Sequence, residues 1–372
     1  MVIFDFTTLL RPFGGKIRDF ALTSLDVTNY AINILCYNRV MVKKRIVLAL
    51  GGNALQRGGE ATAEAQKKIA ESVGEAVAEL ADKYEIVLTH GNGPQVGNIL
   101  LHEETAATDK APAMPLETAV AMSQGQIGYW LTQAIVNAFQ KKKATKGSKF
   151  KAAKVATVVS QVVVDKDDPA FKNPTKPIGQ FYSEKEAKKL AKEKGWTVKE
   201  DAGRGWRRVV PSPKPVDIVE KNTIKEMLED GIIVIAAGGG GIPVYRTKVL
   251  KRLKGVDAVV DKDFASEKLA ELIKADIFVS VTAVPNVYIN YGLPNQKALH
   301  RVTPREIGQY ERYGYFKAGS MLPKVQAARE FARKRKGNVG IITDIGHLKG
   351  ALRGTAGTII EQGCGKVGWG NV

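Results

Sequence analysis

Three lysines have neighbours that suit phosphate chemistry. In "GVDAVVDKDFASEKLAELI", which starts at Gly255, Lys262 lies between Asp261 and Asp263 just ahead of an amphipathic helical pattern. A lysine held by a neighbouring carboxylate would offer preorganised positive charge to a transferring phosphate. Local rules equally allow Asp263 as a helix cap and Lys262 as a surface ion pair. In "FKAGSMLPKVQAAREFA", from Phe316, Ser320 reads as the cap and Pro323 as part of the first turn, so Lys324 falls at the positive end of a helix. A cation there loses about a few tenths of a kcal/mol, a penalty that solvent makes trivial and a bound anion reverses. Lys166, in "VVVDKDDPAFKNPTKP", ends a strand at the edge of a proline loop and is open to any role.

Three glycine-rich turns supply the complementary surface: "LALGGNAL" with Gly51, Gly52 and Asn53, "THGNGPQVGN" with Gly91, Asn92 and Gly93, and "VIAAGGGGIPV" with Gly238, Gly239 and Gly240. Without a Cβ, such turns let backbone N–H groups converge on an anion. Tight strand-to-helix packing would give any one of them alone. Pro94 sits where the first turn of a helix tolerates a missing N–H, and that helix N-terminus could face phosphate. "GRGWRRVVPSP" groups Arg204, Arg207 and Arg208 beside Trp206, suited to bidentate oxyanion contacts or to a solvated basic turn. Histidine occurs only at 90, 102, 300 and 347, so no Ser/His/Asp order can be assembled. His90, ahead of the second glycine turn, suits a structural hydrogen bond better than base catalysis.

These residues need a frame. Short β-branched runs at 45–50, 85–89, 155–164, 232–236, 277–282 and 339–343 alternate with amphipathic helical patterns. Residues 61–82, for example, align Ile69, Val73, Val77 and Leu80 on one face. Such alternation predicts an α/β fold with a mostly parallel sheet between helices, and ligands then sit at the carboxyl ends of the strands. All three glycine turns follow strands. Residues 165–182 and 201–215 are proline-rich and irregular; with a helix at 183–195 they predict a protruding insertion of about 165–215.

The chain has 372 residues, 44% apolar and 25% charged, with a formal charge of +18. Cys36 and Cys364 offer neither a disulfide framework nor metal-ligand spacing, so a reducing, cytoplasmic setting is expected. No apolar run approaches the roughly 20 residues that span a bilayer, and no membrane role is expected. Seven lysines between 141 and 154 carry much of the charge. Only Phe150 is interleaved there for base stacking, which favours a solvated helix end over a nucleic-acid patch. Residues 1–40 mix acidic and basic groups, unlike a signal or transit peptide. Met41 opens the globular pattern, and 1–40 is expected to be an N-terminal extension from a start codon chosen upstream of the true one, with an accessory segment as the second reading.

Taken together, "GGNALQRGGE", "THGNGPQVGN", "AMSQGQIGYW", "VVVDKDDPAFKNPTKPIGQFY", "DAGRGWRRVVPSP", "GVDAVVDKDFASEKLA" and "FKAGSMLPKVQAA" resemble the carbamate kinases of the amino-acid kinase superfamily, from Arg45 to about Ile360. The resemblance implies a three-layer α/β/α sandwich around a mainly parallel eight-stranded sheet, with a small protruding subdomain. A catalytic domain over 41–363 would divide into a carbamate and phosphate half, about 41–230, and a nucleotide half, about 231–363, followed by a tail at 364–372. It implies reversible phosphoryl transfer between ATP and carbamate, giving ADP and carbamoyl phosphate, with Mg²⁺ bound mainly through nucleotide phosphates. A homodimer and a place in arginine fermentation, running toward ATP, are also implied. On matching positions, Lys166, Lys262 and Lys324 would form a cationic clamp oriented by Asp261 or Asp263. Gly51, Gly52, Asn53, Gly91, Asn92 and Gly93 would line the transferring phosphate, with Arg207 and Arg208 as further anion contacts. Gly238, Gly239 and Gly240 with Thr282, Ala283, Val284, Met321 and Pro323 would hold nucleotide. Some relatives carry Thr-Asp-Val where this chain has Thr282, Ala283 and Val284, so backbone atoms are expected to take over a carboxylate's contact. Acetylglutamate and uridylate kinases usually place a lysine in the first glycine loop, and Ala49 and Leu50 stand there instead. A basic nucleic-acid-binding protein is the alternative of a different class.

Overall fold

A computed structural model describes residues 43–51, 62–148, 150–201 and 203–363. The expected extension at 1–40, the tail at 364–372, and Gly52 and Asn53 lie outside the described residues. Eight strands form the main sheet: β1 (Lys44–Leu50), β2 (Tyr84–His90), β3 (Lys154–Thr157), β4 (Ile232–Ile235), β5 (Ile277–Val281), β6 (Arg301–Val302), β7 (Val339–Thr343) and β8 (Thr358–Glu361). Their order is β6-β8-β7-β5-β1-β2-β4-β3, and only the β7 and β8 pair is antiparallel. The expected mainly parallel sheet is therefore present, with helices on both faces.

The alternation inside β1 explains its central place. Ile46, Leu48 and Leu50 pack into one core with helix α1 (Ala63–Leu80) and helix α2 (Leu116–Ala144), while Val47 and Ala49 enter the opposite core. A strand buried on both faces reads as an unbroken apolar run. The two helices cross so closely that a Cβ at Gly74 would stand 2.6 Å from the Ala134 carbonyl oxygen. Helix α1 turns its face about Ala70, Val73 and Val77, which leaves Ile69 at the margin of the expected stripe. The lysine-rich end of α2 is partly tied down: Lys141 pairs with Glu75 and Lys142 with Asp82, each on or beside α1.

Register brings the strand ends level. Leu50 pairs with His90 on one side and Val281 on the other, and Val281 pairs with Thr343. The chain therefore leaves β1, β2, β5 and β7 along one edge of the sheet, and the first two glycine turns are set side by side.

Two expectations change. The run 155–164 is not one strand: β3 ends at Thr157, and Gln161–Val164 joins a separate four-stranded sheet with Ile242–Arg246, Leu253–Gly255 and Pro215–Ile218. Ser160 makes the break, since its buried backbone N–H donates to Gln124 Oε1 and its hydroxyl accepts from the Ala237 N–H. The proline-rich insertion is also more regular than expected. Lys176–Tyr182, Trp206–Val210 and Val198–Glu200 form a three-stranded antiparallel sheet, and Glu184–Lys194 is a helix with a Ser183/Glu186 capping box. Pro177 is tolerated because its strand is at an edge.

Helix α3 (Lys262–Leu272) and helix α4 (Met321–Lys334) lie against the second core. Glu267 is buried on α3 at 6% exposure, and its Oε1 has no hydrogen-bond partner. Burial, opposed by Lys268 and reinforced by Glu271, pushes its carboxyl up from 4.5 to about 7. The folded protein thus holds a proton there that the unfolded chain has released. Its contribution to stability is full below pH 4.5 and is lost as pH rises through about 7. Glu267→Gln is expected to flatten that slope and to gain about 3 kcal/mol relative to wild type at pH 8. Urea unfolding at pH 5 and pH 8 checks it; parallel slopes for the two proteins would rule it out.

Candidate active site

Helix α3 begins at the sheet's edge with Asp261 as N-cap, its Oδ1 accepting from the Asp263 N–H at 2.9 Å. Local sequence rules pointed to Asp263 as the cap; the cap is instead Asp261, two residues earlier. With Asp261 so used, the Asp263 side chain turns inward, 6% exposed. Its Oδ2 accepts from Lys324 Nζ at 2.9 Å, and its Oδ1 accepts from Ser280 Oγ at 2.9 Å. Lys262 Nζ stands 3.1 Å from the same Oδ1. That is ion-pair distance without hydrogen-bond alignment, and the buried Lys262 ammonium has no hydrogen-bond partner.

One buried carboxylate therefore serves two ammoniums, and the cluster carries an excess positive charge. Burial would raise the Asp263 carboxyl, but Lys262 and Lys324 together hold it well below the usual carboxylate range. Burial lowers Lys262 to about 8; Asp263 pulls it back up and Lys324 pushes it further down. An arriving dianion would offset the charge excess and take the unused N–H donors, which is what a phosphoryl group provides.

The described glycines of the three turns pack on the sheet's carboxyl edge and against the start of α3. The Gly51 N–H donates to the Val281 carbonyl and the Gly91 N–H to the Leu50 carbonyl, fixing both turns to the sheet. Asn92 is the N-cap of the helix Gly93–Ala106, yet its side chain donates to Ser123 Oγ instead of capping. Pro94 occupies the first turn of that helix, as the sequence suggested. His90 is buried, its ring bonded to the Gly91 carbonyl at 3.1 Å. Burial is the main reason it titrates near 4, countered by the Gly91 bond and aided by Lys262, so the ring is neutral and structural. Gly238, Gly239 and Gly240 form a buried turn against this pair: an added Cβ would meet His90 Nε2 at 2.3 Å, Asn92 Nδ2 at 2.1 Å and the Val260 oxygen at 2.0 Å. Thus they pack beside the second glycine turn, whereas Thr282, Ala283 and Val284 leave β5 on its other flank, Thr282 N–H bonding the Thr343 carbonyl. Met321 and Pro323 form the first turn of α4, with Met321 against the second core. Ser320 holds the N-cap position, but its hydroxyl makes no capping bond.

Not every predicted residue joins the cluster. Lys166 is exposed and its ammonium packs 4.8 Å over the Tyr245 ring. Another lysine of the same loop reaches the site: Lys176 Nζ donates to Asp261 Oδ2 at 2.6 Å, linking the insertion to the start of α3. Nothing local distinguishes Lys176, because the contact spans 85 residues. Arg207 bonds Asp201 and the Gly179 carbonyl and stacks on Phe181; Arg208 bonds Asp257 and stacks on Trp196. Both guanidiniums brace the insertion. Among the described residues no group of three His, Cys, Asp or Glu side chains could hold a metal, and no helix is long and apolar enough to cross a membrane.

Comparison with known proteins agrees with this geometry. The sequence profile described as the amino acid kinase family matches residues 44–343. A carbamate kinase from Thermococcus kodakarensis is 51% identical over 323 residues, 86% of this chain and 99% of the relative. One from Latilactobacillus sakei is 49% identical over 326 residues, 87% and 100% of the two chains. The solved structure of carbamate kinase from Giardia lamblia bound to AMP-PNP is similar at 43% identity and a TM-score of 0.79, covering 87% of this chain and 99% of that one.

Proposed function

The chain belongs to the amino acid kinase family and, within it, to the carbamate kinases, and from that membership we infer that it catalyses ATP + carbamate = ADP + carbamoyl phosphate. The observation that carries the site is the Lys262 ammonium, buried beside Lys324 with donors unspent. A carbamate oxygen attacks the γ-phosphorus as the bond to the ADP oxygen breaks, and the reverse step returns the phosphoryl group to ADP. Charge then spreads over the equatorial oxygens, so catalysis is mostly placement and fixed positive charge. Lys262 and Lys324 supply that charge; with the Gly51 and Gly91 N–H groups already bonded to the sheet, further backbone donors come from the start of the helix at Gly93. Carbamate is already an anion, which is why a neutral His90 suffices and no base is needed. Mg²⁺ enters as part of the nucleotide. Lys166, on its exposed loop, would meet the phosphate only after the insertion closes.

The same reading includes a cytoplasmic setting, arginine fermentation with net flow toward ATP, and a homodimer. Met122, Tyr129 and Val136 support the dimer: they recur every seventh residue along α2 and are all exposed. The +18 charge alone supports no nucleic-acid role.

Incubation with MgADP and carbamoyl phosphate is expected to yield ATP; no ATP at micromolar enzyme would end the assignment. Lys176→Met is expected to lower kcat/KM by about tenfold, the loss of roughly 1.4 kcal/mol from a half-exposed charged contact. Steady-state kinetics at fixed ADP would show it, and an unchanged rate would make the Lys176 contact to Asp261 incidental.

A further inference from the structure

A cavity of about 530 Å³ lies away from the lysine cluster, lined by Thr303, Pro304, Gly308 and Gln362 with Arg305, Arg312, Arg329 and Arg333. Its walls are the helix Pro304–Arg312 and the outer face of α4. Two of the arginines have ordinary reasons to be there. Arg312 and Arg333 are in the last turns of their helices, where cations suit the dipole.

The other two do not. Arg305 stands in the first turn of its helix, the unfavourable end for a cation, and has no acidic partner among the described residues. The first-turn acid, Glu306, is already taken up by its capping box with Thr303. Arg329 is bonded to Glu311 through Nη1, but its Nε is buried with no hydrogen-bond partner. Gly308 makes space for it, since a Cβ there would come 2.8 Å from Arg329 Nη1. A glycine inside a helix is less favourable than alanine. Here it admits a guanidinium under the helix. Four guanidiniums thus outnumber the three nearby carboxylates: Glu306, held by Thr303, Glu311, held by Arg329, and Glu330, 3.6 Å from exposed Arg333.

We propose that this cavity is a second anion site, separate from the phosphoryl-transfer centre, that binds an oligophosphate group. Guanidinium forks match phosphate oxygens two at a time. The volume exceeds what a single phosphate fills and falls within the range of small-ligand sites. No aromatic ring among the described residues lines it, which favours recognition of the phosphate chain itself over a nucleotide base.

Inorganic tripolyphosphate is the probe, titrated calorimetrically into the full chain at physiological salt with the catalytic centre saturated by AMP-PNP. One equivalent is expected to bind per chain. Arg305→Ser combined with Arg333→Ser is expected to weaken it at least tenfold, while Lys143→Ser combined with Lys146→Ser, which removes the same charge elsewhere, leaves it unchanged. Arg305→Ser alone, at an exposed helix start, serves if the double variant does not fold, with a smaller loss in the same direction. No binding to the saturated wild type overturns the proposal, as does equal weakening by the lysine pair, which would mark diffuse attraction to a basic protein. Citrate binding as tightly as tripolyphosphate would overturn the phosphate selectivity.

Discussion

Asp263→Ala is expected to lower kcat/KM by roughly a thousandfold and to destabilise the fold by about 3–5 kcal/mol, the cost of leaving a buried charge without its partner. Two ammoniums, Lys262 and Lys324, and the Ser280 hydroxyl all converge on this carboxylate. Without it the lysines repel, and Lys262, already lowered to about 8 by burial, loses the carboxylate that pulls it back up. The remaining ammoniums keep a net positive charge but are too poorly held to aim at phosphoryl oxygens. A structural role alone would cost stability without this kinetic pattern. The discriminating measurement is the melting temperature with and without added phosphate: an anion that replaces the missing charge stabilises the variant by mass action more than the wild type. Equal shifts in the two proteins would separate Asp263 from the anion site.

Lys262→Ala is expected to lower kcat by about a hundredfold or more, as removal of one preorganised charge contact does. KM should change less, because the charge matters most as it spreads in transfer. The pH profile gives a second reading. In the free enzyme Lys262 loses its proton as pH rises through about 8, so wild-type kcat/KM should fall on that alkaline side. The limb should vanish in Lys262→Ala. Near wild-type turnover would leave Lys262 a buried structural partner of Asp263 with no part in transfer.

The central sheet and much of the cluster were legible in the chain. β1 announced itself because both of its faces are buried, and the glycine turns followed because Gly51 and Gly91 end paired strands. Lys262 and Lys324 stood out through helix-end rules. The division of labour between Asp261 and Asp263 did not, since it depends on Lys324, which is 61 residues from Asp263, and on Lys176, which is 85 from Asp261. Spacing within a segment cannot reveal a partner from another layer. The break after β3 was hidden for the same reason: Gln124, on α2, holds Ser160 at the turn. Arg207 and Arg208 looked free in sequence because Asp201, within the insertion, and Asp257, outside it, reach them only in the folded chain.

The turn at Gly238–Gly241 limits how the enzyme can change. Each of these four residues touches its neighbour so closely that any side chain would strike His90, Asn92, Val260 or Val162. Three of them also hold left-handed backbone conformations, with φ of 68°, 90° and 81° at Gly239, Gly240 and Gly241. Every single-residue replacement there displaces His90, Asn92, Val260 or Val162. The turn therefore acts as a keystone: its shape is set jointly by β2, the start of α3 and the second sheet, and it can vary only if they vary with it.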